Sequence, residues 1–194
     1  EEYFVKAQRP PARTEADAKV LFYGRLSTEK GIDLLLRAWR KLNPPATLSI
    51  LGMDGPLRAE VEEIVAVRDD IRLLAPVPHD EVPALIAAHD IVCCPSRVEE
   101  SLCRTVLEAR WLERTIVTTQ SGAIPEVMRG YPLAHSAKVR TDDARAIENL
   151  AEALRAALAQ RRTLCDEERE AEESFREQFL PETFVHQFRL LTEI

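Results

Sequence analysis

The 194-residue chain has no apolar run approaching the roughly 18 residues that a membrane-spanning helix needs, so no such helix is expected. Basic residues are also in short supply. Lys and Arg number 26 against 33 Asp and Glu, for a net charge of −7. That balance argues against a broad phosphate-backbone surface, so nucleic acid is not an expected partner, and it argues against a peripheral membrane patch on this part of the protein. The four cysteines lack metal-ligand spacing. Cys93 and Cys94 lie in an apolar run, where buried thiols act as small hydrophobes, and a reducing, cytoplasmic setting is expected. No internal repeat or low-complexity segment is evident. What is present is 45% hydrophobic residues, enough for a sizeable core in one large domain.

Short apolar runs alternate with helix-periodic segments along the chain. Strands are expected at residues 19–24, 47–52, 71–74, 90–95, 115–119 and 131–134. Helices are expected from Ile32, with Trp39 in the core, from Pro56 to Arg68, and over residues 81–88 with Asp80 as N-cap. Others should start near Cys103 and Ile124 and span residues 142–161, with a last one beyond Pro181 marked by Phe184, Phe188 and Leu191. This order predicts an α/β fold, a doubly wound, Rossmann-like parallel sheet with extra C-terminal helices. Residues 1–18, containing Arg9-Pro10-Pro11-Ala12-Arg13, suit a linker, and the chain starts with Glu, so a piece of a longer protein is expected. Residues 19–165 then form the main domain and residues 166–194 its helical extension.

The stretch from Cys93 to Glu126 is a strand, loop, helix and strand in succession. It carries Glu100 in the loop and Glu108 inside the helix. If the helix begins near Cys103, the N–H groups of Cys103, Arg104 and Thr105 face the cleft at the carboxyl end of the sheet and attract anions. Glu108 then lies about one turn deeper, roughly 4.5 Å along the axis. A nucleotide sugar laid along this line would set its diphosphate at the helix end, its ribose at Glu108 and its sugar at Glu100. The spacing alone is a weak signal, since 23 glutamates give about two or three such pairs by chance. Its setting strengthens it. The loop from Arg25 to Gly31 delivers Arg25 and Lys30 to the same edge of the sheet, where doubly wound folds bind ligands, and Glu126 falls at that edge too.

Five motifs occur in order: Gly24-Arg25-Leu26 with Lys30-Gly31, Leu51-Gly52-Met53-Asp54-Gly55-Pro56, Pro95-Ser96, Glu100-x7-Glu108-Ala109, and Gly122-x-x-Pro125-Glu126. On these the chain resembles the C-terminal, donor-binding half of a GT-B glycosyltransferase of family 4, the group 1 glycosyltransferases. The resemblance implies retaining transfer from a nucleotide-diphosphate sugar to an acceptor held by an N-terminal domain absent from this chain. It implies no metal or other cofactor, and the chain has no Asp-x-Asp motif. It further implies that Arg25 and Lys30 neutralise the diphosphate, that Glu100 contacts the sugar and that Glu108 binds the ribose. Gly24, Ser101, Leu102, Cys103, Arg104 and Thr105 would complete the donor site, with the base against backbone around Val77 and Pro78. As an isolated piece the domain should bind nucleotide but turn over little. Where the family commonly has Gly this chain has Ala75, Cys103, Glu113 and Ser121, and Arg110 and Trp111 replace small residues. These departures leave open a second reading, a domain that keeps the fold and serves as an interaction module.

Overall fold

The computed structural model describes residues 18–139, 144–160 and 162–178. Each apolar run becomes a strand: β1 (Ala18–Arg25), β2 (Ala46–Met53), β3 (Ile71–Leu73), β4 (Ile91–Cys94), β5 (Thr115–Thr119) and β6 (Ala134–Ala137). All are parallel, in the order β3-β2-β1-β4-β5-β6. β4 (IVCC) and β5 (TIVTT) are buried at every position, as strands covered on both faces must be.

The helices are α1 (Ile32–Leu42), α2 (Arg58–Val65), α3 (Val82–Ala87), α4 (Arg104–Trp111), α5 (Ile124–Val127), α6 (Ala144–Ala159) and α7 (Asp166–Glu177). Leu35 and Trp39 of α1, Val61 of α2, and Leu150 and Leu154 of α6 share one core with Phe22, Ile50, Cys93 and Val117 of the sheet. α4 contacts both α3 and α5 and packs against β4 and β5. The sheet is therefore doubly wound, as the alternation predicts. Trp39 is fully buried, and Asp70 accepts its indole N–H at 2.7 Å. Satisfying that one polar atom is what lets so large a side chain enter the core.

Some boundaries move for local reasons. β6 begins at Ala134, not Tyr131, because the Tyr131 hydroxyl is anchored on the Arg114 carbonyl at 2.7 Å and pairing with β5 starts only at Ile116 with Ala134. α2 begins at Arg58: Leu57 donates to the Leu26 carbonyl at 3.0 Å, which leaves Pro56 in the preceding turn. Asp80 lies inside a 3-10 turn (His79–Glu81) and is not an N-cap, since α3 starts one residue after that turn. The chain divides into compact units at residues 1–162 and 163–194. In the second unit α7 opens with a capping box in which Cys165 N–H donates to Glu168 at 2.9 Å. The linker and the helix beyond Pro181 lie outside the described residues, apart from Ala18, which opens β1. No helix among the described residues is long and apolar enough to cross a membrane.

Of the four positions where Gly gives way, only Glu113 has a positive φ, at 55°. It follows the C-cap of α4, where its N–H bonds the Arg110 carbonyl at 3.0 Å and the Arg114 N–H bonds the Ala109 carbonyl at 2.9 Å. This pair of bonds is a Schellman end, whose left-handed residue is ordinarily Gly. Glu113→Gly should therefore stabilise the domain by about 1 kcal/mol. Thermal unfolding checks it, with an expected rise of about 2–4 °C.

Candidate functional site

Strand order reverses between β1 and β4, and a doubly wound sheet opens its crevice at the carboxyl ends of such strands. A cavity of about 230 Å³ lies there. Of the residues expected at the site, Gly24, Arg25, Lys30, Glu100, Leu102, Cys103, Arg104 and Thr105 line it. Ser101, Val77 and Pro78 do not line it, and Glu126 is exposed on α5 away from its wall. Glu108 is behind the wall, 5% exposed.

Two loops carry the chemistry, and each is fixed by polar bonds to its neighbours. Lys30 ends a 3-10 turn (Thr28–Lys30), and Gly31, at φ 71°, turns the chain into α1. A Cβ at Gly31 would lie under 3.0 Å from the Pro95 carbonyl oxygen, so the turn rests directly on the loop after β4. Arg97 N–H donates to the Glu29 carbonyl at 2.8 Å, and the Arg97 guanidinium donates to Asp33 at 2.8 Å. From β5, Thr118 donates to the Cys94 carbonyl at 2.9 Å and Thr119 to the Ser96 carbonyl. These hydroxyls explain why a fully buried strand ends in threonines. Glu100 is pinned from behind by Ala123 N–H, which donates to its carbonyl at 2.7 Å, and Gly122 leaves no room there for a Cβ.

So held, Glu100 accepts from Lys30 Nζ and from Ser96 Oγ, both at 2.6 Å. Burial pushes the Glu100 carboxyl up, but these two bonds and the Lys30 charge outweigh it and hold the group below the usual carboxylate range. Burial likewise opposes the charge on Lys30, and the bond to Glu100 and its charge more than restore it. By the family resemblance the two residues serve different parts of a ligand, Lys30 the diphosphate and Glu100 the sugar. In the structure they are paired with each other.

α4 presents its amino terminus to the same cavity. Cys103 is its N-cap and makes no side-chain cap bond, and the N–H groups of Cys103, Arg104 and Thr105 have no carbonyl of the helix to accept them. At φ −79° and ψ 92° Cys103 is extended, a conformation open to any residue, so Gly is not required there on backbone grounds. One turn on, Glu108 Oε1 accepts from the Arg104 guanidinium at 3.3 Å, and Arg104 also reaches His79 Nε2 at 3.3 Å. Glu108 Oε2 is buried and has no hydrogen-bond partner. Burial raises the Glu108 carboxyl above its ordinary value against the opposing charge and hydrogen bond of Arg104. Three cations thus face two carboxylates, and Arg25, exposed at the end of β1, has no carboxylate partner among the described residues.

Tyr23, Met53 and Cys94 also line the cavity, and Ser96 supports Glu100, yet none was singled out as a site residue. The available signal was register: Tyr23 and Arg25 pair with Leu51 and Met53, and Cys94 closes the adjacent strand. Residues at the carboxyl ends of strands beside a switch point face its crevice.

Comparison with known proteins shows the family and the fold. The family model described as glycosyl transferases group 1 matches residues 5–177. The D-inositol 3-phosphate glycosyltransferase of Corynebacterium jeikeium is 32% identical over 132 residues, 62% of this chain and 30% of that protein. The chain spans roughly a quarter to a third of the curated relatives it matches. Among solved structures, sucrose-phosphate synthase from Thermosynechococcus elongatus superposes with a TM-score of 0.73 at 21% identity, covering 93% of this chain and 46% of that one. The pneumococcal O-GlcNAc transferase solved with UDP and GlcNAc gives 0.66 at 16% identity, covering 98% and 37%. With a GT-B Rossmann-like fold and a family match across most of its length, the chain belongs to the group 1 glycosyl transferases.

Proposed function

We propose that this domain holds a nucleotide-diphosphate sugar at the carboxyl ends of β1 and β4 and stabilises the leaving diphosphate during retaining transfer to an acceptor bound by a separate N-terminal domain. The observation that carries the proposal is the convergence of Arg25, Lys30, Arg104 and the α4 amino terminus on one cavity. As the glycosidic bond to the β-phosphate breaks, negative charge grows on the diphosphate. Fixed cations and helix-end amides stabilise that charge more than the ground state, which lowers the barrier. In this role they do what a divalent ion does at other phosphoryl sites.

The ion pairs give the binding step a definite form. A diphosphate draws Lys30 and Arg104 away from Glu100 and Glu108, to which they are joined at 2.6 and 3.3 Å. The freed carboxylates then accept hydroxyls, Glu100 from the donor sugar and Glu108 from the ribose. Every charge keeps a partner through the exchange, so no bare carboxylate is left buried. The pneumococcal neighbour, solved with UDP and GlcNAc, supports a ligand of this class.

Calorimetric titration of the domain with UDP, GDP and ADP tests the proposal. At least one should bind, and Arg25→Ala should weaken it by about 10–100-fold, the worth of hydrogen bonds to a charged group. Because Arg25 has no ion pair to lose among the described residues, its removal should leave stability nearly unchanged. Failure of all three nucleotides to bind would favour the interaction-module reading, and binding indifferent to Arg25 would remove that residue from the phosphate clamp.

A further inference from the structure

We propose that Cys94 and Cys103 form a peroxide-sensitive dithiol whose closure to a disulfide shuts the cleft to nucleotide. The second half of this statement rests on the nucleotide-binding function proposed above. The first half rests on the meeting of two thiols at the cavity.

The two sulfurs lie 3.3 Å apart, and both residues line the cavity. Cys94 is the last residue of β4 and Cys103 the N-cap of α4, nine positions later. Strand alternation separates this pair from Cys93, which is fully buried in the core shared by α1 and α6. Cys165 belongs to the other compact unit and is exposed. One thiol pair of the four therefore meets at the cavity, and hydrogen peroxide, little larger than water, fits a space of about 230 Å³.

The two thiols are also unequal, as a reactive pair requires. With Cys94 as the donor in the bond between the two thiols, that bond, the Lys30 charge and the helix start favour the Cys103 thiolate over the opposing burial and Glu100 charge. Cys94 is held as the thiol by that same bond and by burial. In the reaction the Cys103 thiolate attacks one peroxide oxygen, the O–O bond breaks, and hydroxide leaves as water after taking up a proton. Cys94 sulfur then attacks the resulting sulfenic acid and displaces a second water. The two sulfurs lose two electrons and the peroxide gains them.

Closure brings the sulfurs from 3.3 Å to about 2.05 Å. The movement falls on the N-cap of α4 and on the loop between the two cysteines, which carries Ser96 and Glu100. Donor amides displaced by about 1 Å lose their aim at a phosphate.

The reduced chain is treated with hydrogen peroxide, with and without UDP, GDP or ADP, and its peptides are mapped by mass spectrometry. A Cys94–Cys103 link with loss of two hydrogens is expected, slowed by whichever nucleotide binds. Affinity for that nucleotide should fall at least about tenfold and return with dithiothreitol. In Cys103→Ser, which lacks the attacking thiol, peroxide should form no such link and change affinity less than about twofold. Peptides showing these two cysteines unlinked, or oxidised only to sulfinic acid, would overturn the dithiol. A complete link with unchanged affinity would overturn the gate. If none of the nucleotides binds the reduced chain, the peptide map still decides the dithiol, so the two readings fail separately.

Discussion

Gly31→Ala is expected to lower the melting temperature by about 10 °C and to weaken nucleotide binding at the same time. Gly31 has a φ of 71°, and a left-handed residue other than Gly costs about 1–2 kcal/mol. The greater cost is steric. An added Cβ would sit under 3.0 Å from the carbonyl oxygen and carbon of Pro95, both backbone atoms of a loop held by Thr118, Thr119 and Arg97. Neither side can yield cheaply, so the turn carrying Lys30 and the loop carrying Glu100 must part, and the 2.6 Å bond between them is lost. A combined cost of about 3–4 kcal/mol follows, or roughly 10 °C for a domain of this size. Gly130 supplies the control. Its φ is 72°, but a Cβ there meets nothing within 4 Å, so Gly130→Ala should show the conformational cost alone, about 1–2 kcal/mol. Equal melting temperatures for the two variants would mean that the contact with Pro95 does not hold the loops together.

Much of the fold was legible because its signals are local. TIVTT and IVCC read as strands buried on both faces, and the alternation of strand and helix requires parallel pairing. Positions set by distant partners were harder to read. β6 was misplaced because Tyr131 looks like a strand residue until its hydroxyl is seen on the Arg114 carbonyl. Within the site, the edge of the sheet was legible but the pairings were not. Lys30 and Glu100 lie 70 residues apart, and nothing local links them. Arg104 and Glu108 are different, since their i,i+4 spacing on a helix is itself a pairing signal. The altered glycines looked alike in sequence. Only coordinates separate Cys103, with an extended backbone, from Glu113, which occupies a left-handed position. Val77 and Pro78 were expected to act through backbone, which leaves no side-chain signature, and the cavity wall does not include them.

Glu108→Gln should weaken binding of the preferred nucleotide by about 10–100-fold and abolish its preference for ribose over 2′-deoxyribose. In the free domain Glu108 Oε2 is buried without a partner, a state that costs about 1–3 kcal/mol and that two ribose hydroxyls would relieve. Gln keeps the size but exposes an NH2 donor to those hydroxyls and loses the ion pair with Arg104. The measurement is a ratio: UDP against dUDP, or the GDP or ADP equivalents, in each protein. A ratio that survives the substitution would remove Glu108 from the ribose. The pH dependence gives an independent check. Burial raises the Glu108 carboxyl above its ordinary value, so in the free domain the protonated form is relatively favoured. Its contribution to stability is therefore full below the unfolded value and is lost as pH rises through the folded one. Ribose hydroxyls donate to the carboxylate, so binding expels that proton, and affinity should rise with pH through the folded value and then level off. The Glu100 carboxyl is shifted the other way, and its stability contribution is lost as pH falls, so the free domain's own stability mixes the two trends. Comparison with Glu108→Gln separates them. The nucleotide-induced rise in melting temperature should grow more steeply with pH in the parent domain than in the variant, and equal slopes would exclude Glu108 as the group that releases the proton.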